Sequence, residues 1–187
     1  MKTTNHLPFS LKTTFFVSVI LSLFLFSCKK ENSTADAFHV TCTVDGVPMV
    51  FNAGAFAHWD SLGNEKALTI NGLTDLTPNT GSVGFVITNT PSSNPITEAV
   101  YNDNSTNYEV LASYAPNISN LDYNAGTSEY GEAISNNFTI INHFSVHLTS
   151  LTAKAAKGTF SGDFFLGGDF AAGKKTITNG DFYVEFK

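Results

Sequence analysis

Five of the chain's six tyrosines, Tyr101, Tyr108, Tyr114, Tyr123 and Tyr130, fall within thirty residues that also hold six asparagines, four serines, four acids and no lysine. A tyrosine ring is a rigid, amphipathic contact face that costs little entropy to fix, and asparagine and serine supply adaptable hydrogen bonds. Sugars suit such a mixture, because their C–H faces pack on rings while their hydroxyls meet amides and carboxylates. The candidate ligand-binding residues are therefore these five tyrosines together with Asn107 and Asp103. The competing reading is a set of polar loops whose tyrosines cover a sheet edge. Three or more exposed rings on one concave face would mark a binding surface.

Other groups invite chemistry and carry less. His143 and His147 stand four apart, a shared ligand face on a helix, but four residues along a strand separate side chains by about 13 Å. They cannot chelate one ion together there, although His39 or His58 can approach either across a sheet. Asp103-Asn104-Ser105-Thr106-Asn107 alternates oxygen side chains as calcium loops do. Tyr108 and Tyr114 stand where such a loop needs glycine and a bidentate carboxylate, so an ordinary polar turn is the simpler reading. Glu98, Glu109, Asp163 and Asp169 are acids from which the fold can draw a glycosidase pair, and nothing in the sequence singles out two of them. Nucleophile-elbow, zinc-helix, phosphate-loop and Cys-x-x-Cys motifs are all missing. No catalytic residue, metal ligand or cofactor is assigned.

The elements that must position these groups read as strands. Val44-Asp45-Gly46-Val47 is a two-residue hairpin signal between a strand from Phe38 and one from Met49, with Pro48 marking an edge or a strand start. Strand-like runs follow at 54–59, 66–73, 82–88, 98–101 and 108–114. In the last third, Phe144, Val146 and Leu148 alternate with Ser145, His147 and Thr149, Phe160, Gly162, Phe164 and Leu166 with Ser161, Asp163 and Phe165, and Phe182, Val184 and Phe186 with Asp181, Tyr183, Glu185 and Lys187, the period of half-buried antiparallel strands. Only 151–157 has helix-forming composition, and at about two turns it reads as a connector. The expected fold is an all-β antiparallel sandwich, jelly-roll-like, with a lipocalin-like barrel as the alternative.

The first 27 residues have the layout of a secretory signal: Lys2 and Lys12 in a polar start, an uncharged apolar run from Phe15 to Phe26, then Ser27. That run is too short to span a bilayer, which takes roughly 20 residues. Without it, eight lysines face sixteen acids, a formal net charge of −8, and arginine is absent throughout. Such a domain is poorly suited to nucleic acid, phosphate or anionic lipid. Cys42 alternates onto an apolar strand face and reads as a buried packing thiol.

Leu25-Phe26-Ser27-Cys28 resembles the lipobox of bacterial lipoprotein precursors. The resemblance implies that Cys28 is acylated, becomes the first mature residue and anchors the protein in a lipid bilayer, leaving Cys42 without a disulfide partner. Residues 28–36 then form a flexible tether reaching about 15 Å, and 37–187 a single β-domain. Lys29-Lys30-Glu31 is faintly similar to a charged surface-export signal. The leader, the early Thr-Val-Asp-Gly hairpin, Gly158-Thr159-Phe160-Ser161-Gly162 and the ending from Ile177 to Phe186 together resemble a family of uncharacterised Bacteroidetes lipoproteins, which implies an address in the cell envelope at the outer membrane. Asp60-Ser61-Leu62 is also similar to the short O-glycosylation acceptor of that phylum.

Three functions follow as expectations. The first is a non-catalytic module that binds a glycan, small ligand or protein partner. The alternatives are a structural or assembly component of the envelope and a carboxylate-dependent hydrolase.

Overall fold

Asp45 and Gly46 both hold positive φ, 48° and 83°, the geometry of a two-residue type I′ turn. They join β1 (His39–Val44) to β2 (Val47–Val50), paired antiparallel as the hairpin signal requires. The computed structural model describes residues 37–62, 65–77, 80–90, 94–117 and 122–187. The leader, Cys28 and the tether lie outside the described residues.

The other strands are β3 (Ala53–Leu62), β4 (Glu65–Leu73), β5 (Ser82–Asn89), β6 (Val100–Asn102), β7 (Tyr108–Ala115), β8 (Tyr123–Gly126), β9 (Ser145–Leu151), β10 (Ala155–Leu166) and β11 (Lys174–Glu185). Every pairing between them is antiparallel. Nine follow one path, β2-β1-β11-β10-β8-β7-β5-β4-β3, in a strongly curled open sheet, a half-barrel. The path forks at β10, where residues 156–161 pair with β9 while Phe165 and Leu166 pair with β8; β6 extends the β9 branch. The curl brings the chain's end to the edge strand, where the Lys187 N–H donates to Ala57 O at 3.0 Å.

Alternation decides which side chains enter the curl. On β5, Val83, Phe85 and Ile87 are buried while Ser82, Gly84, Val86 and Thr88 are half-buried on the opposite face. Phe85 meets the rings of Phe144 at 6.2 Å and of Phe160 and Phe182 at 5.3 Å each. Removing one such side chain from water contributes about 1.5–3 kcal/mol. Cys42 belongs to this core, and burial pushes its thiol up to about 12.

The outer face carries the helix α1 (Thr127–Ser135). Nine residues with Gly131 inside and no side-chain cap at Gly126 would be marginal alone. Packing holds it: Ala133, Ile140 and Phe165 form a second small core, with Tyr130 and Phe170 against it. Residues 151–157 are a β-hairpin: Leu151 ends β9, Thr152 caps the turn and Ala155 opens β10. Among the described residues no helix is long and apolar enough to cross a membrane.

Candidate functional site

The five tyrosines do not share a face. Tyr101 is core, 1% exposed, and its hydroxyl donates to Thr97 O and accepts from Thr97 N–H, each at 2.7 Å. Tyr108 stands edge-on to it at 4.8 Å. Tyr114, 5% exposed, lies against Phe51 and Tyr123. Tyr123 is half-buried at the margin of the core, with Lys175 Nζ 5.9 Å from its ring centre. Tyr130 sits apart on α1, edge-on to the His143 ring at 5.3 Å. The physical reason is the strand period: Tyr108, Val110, Ala112 and Tyr114 alternate inward on β7, which turns Leu111 and Ser113 outward.

Asp103 is turned inward as well. Its carboxylate accepts from the Phe144 N–H at 2.9 Å and from His143 Nδ1 at 2.8 Å, and its own N–H donates to Phe144 O. This clasps the turn after β6 to the start of β9 and presents His143 to Tyr130. The first carboxylate of the calcium-like pattern is thus engaged within the chain. Asn107 is exposed, and its carbonyl accepts from the Thr90 N–H.

The remaining candidates go separate ways. His147 lines a shallow cavity of about 250 Å³ with Ser145, Thr159, Ser161 and Asn179, while His143 belongs to the clasp. Glu98 accepts from the Leu151 N–H, Asp169 from the Ala171 N–H, and Glu109 is exposed opposite Thr88. Asp163, 2% exposed, accepts from Lys174 Nζ at 2.8 Å, Thr176 Oγ1 at 2.7 Å and Asn142 Nδ2 at 3.1 Å. Among the described residues no group of three or more histidines, cysteines or acids is placed to hold a metal ion.

What the tertiary structure does assemble is a groove on the outer face, about 300 Å³, lined by Asn71, Gly84, Val86, Leu111, Ser113, Asn124 and Glu129 among others. Register builds it. Asn71, Gly84, Ser113 and Asn124 are successive partners across β4, β5, β7 and β8, a row of two amides and a hydroxyl around one glycine. The next row on the same face, two residues along each strand and about 7 Å away, contains Val86 opposite Leu111. Gly84 makes the floor, since a Cβ there would collide with Asn71 Oδ1. Glu129, in the first turn of α1, forms the far wall, and its burial holds the carboxyl above the usual range.

The tyrosine-rich segment thus supplies Leu111, Ser113, Asn124 and Glu129 to the groove and sends its five tyrosine rings elsewhere. The period-two alternation was the available signal for Ser113 and Asn124. Asn71 and Gly84 come from strands far away in sequence, and only the pairing register brings them to the row. No protein-family model, curated protein or solved structure matches the chain.

Proposed function

We propose that the chain is a bacterial lipoprotein, anchored in a bilayer of the cell envelope through acylated Cys28, whose β-domain is a non-catalytic binding module for a glycan-like ligand. The observation that carries the binding reading is the pair of adjacent rows in the groove. A sugar has a hydroxyl-bearing edge and a C–H face; Asn71, Ser113 and Asn124 match the first, and Val86 and Leu111 the second. A volume of about 300 Å³ is at the small end of ligand sites, about 300–1,000 Å³. Of the two architectures expected, the barrel is supported by the curl of the sheet and by the hydrogen bond from the chain's end to β3.

Thermal shift against a glycan panel tests the binding reading. A ligand at a hundred times its Kd stabilises by about 2.7 kcal/mol, and Gly84→Ala, whose Cβ fills the groove floor and forces the Asn71 amide from its place, should abolish the shift while leaving the unliganded melting temperature nearly unchanged. Equal shifts in Gly84→Ala, or none from any glycan, would remove it. For the anchor, Cys28→Ser should eliminate incorporation of labelled fatty acid and release the protein from the membrane fraction.

A second reading, an assembly component of the envelope, is favoured by one observation. Ile134 and Ile141, 59% and 77% exposed, flank the partly exposed Phe138 on and just after α1. Exposed apolar side chains that join into one patch mark contact surfaces, and Ile134→Ser with Ile141→Ser should weaken any such assembly.

A further inference from the structure

Resting on the groove as the binding site, we infer that its ligand is a hydroxylated molecule bearing a protonated amine, and that Glu129 selects the amine. The other polar side chains of the groove, Asn71, Ser113 and Asn124, are neutral and offer both donors and acceptors, so they recognise hydroxyls without regard to charge. Among the described residues that line the cavity, Glu129 alone contributes a formal charge and none is a lysine. Glu129 is half-buried, and burial is the main cause of its raised pKa. Glu132 and Asp103, the charged neighbours that act on it, are both acids. The Lys174 ammonium is engaged by Asp163, and His143 Nδ1 is engaged by Asp103.

An ammonium group seated against Glu129 relieves the desolvation and the like-charge repulsion together, which a hydroxyl cannot do. Its neutral body then lies along the amide row with its C–H face on Val86 and Leu111. An anionic sugar would meet the opposite outcome. Glu129 also accepts from its own backbone N–H at the uncapped start of α1. That role alone stabilises the helix and predicts no discrimination among ligands.

Calorimetric titration of the full chain in detergent with glucosamine, glucose, N-acetylglucosamine and glucuronate separates these. Glucosamine should bind at least tenfold more tightly than glucose or N-acetylglucosamine, with glucuronate weakest. Glu129→Gln should abolish the preference for glucosamine over glucose, and Glu129→Asp should keep part of it. Equal affinities for glucosamine and glucose, unaltered in Glu129→Gln, would overturn the amine inference and leave a neutral-sugar groove standing. Absence of binding by all four, or binding undiminished in Gly84→Ala, would overturn the groove itself.

Discussion

At the scale of single residues, the most consequential polar group outside the groove is Asp103. Its carboxylate joins two segments forty residues apart through Phe144 and His143, in a place with 1% exposure. Asp103→Ala should destabilise the domain by about 1–3 kcal/mol, the cost of leaving buried donors without a partner, measured from the urea midpoint. A midpoint unchanged from the parent would show that the clasp adds nothing. The sequence offered Asp103 only as a ligand-binding candidate at the head of a polar turn. Its clasp was not legible, because nothing local ties residue 103 to residue 144. The tyrosines illustrate the converse: their type suggested a surface, and strand alternation with the demand for core volume drew Tyr101 and Tyr114 inside.

At the scale of elements, alternation and turn chemistry located the long strands well. The Asp45-Gly46 hairpin and the inward faces of β5 and β9 follow directly from period two and from which residues tolerate positive φ, whereas on β10 Asp163 and Phe165 are buried as well as Gly162 and Phe164. The helix α1 and the four-residue strand β8 were not visible. Thr127–Ser135 contains glycine, serine and threonine and lacks a cap, so its helicity comes from the platform beneath it. Phe165 is that platform. Phe165→Ala should cost about 3–5 kcal/mol and should remove hydrogen-exchange protection from 127–135 before the sheet is affected. Protection of α1 equal to that of the parent protein would show that the helix stands without it. Because Glu129 is carried on α1, ligand affinity should fall in the same variant.

At the scale of the whole molecule, stability should depend on pH through a few paired acids. Burial pushes the Asp163 carboxyl up, and the hydrogen bonds from Lys174, Thr176 and Asn142 outweigh it, so it lies below the usual carboxylate range. Asp45 is lowered in the same sense by the hydrogen bond from Lys175 and by the Thr176 N–H. A carboxyl depressed in the folded state contributes stability that is present above its unfolded pKa of about 3.9 and is lost as pH falls through the folded value. Glu129 acts oppositely, since its raised pKa means that protonation relieves its burial. Urea midpoints measured from pH 7 down to about 3 should therefore fall at the acid end, and Asp163→Asn should flatten that limb. An acid limb as steep in Asp163→Asn as in the parent protein would assign the loss to other groups.

The sequence by itself determined the strand content, the hairpin at Asp45-Gly46, the acidic balance and the buried character of Cys42, because periodicity, turn preference and charge are local properties. Tertiary structure decided that the strands curl into one open sheet, that most of the tyrosine-rich segment's rings turn inward, and that Asn71 and Gly84 join Ser113 and Asn124 in a single row. Those outcomes depend on pairing register between strands distant in sequence. A shift of one residue would turn every one of these side chains to the other face, and only the packed core fixes which register forms.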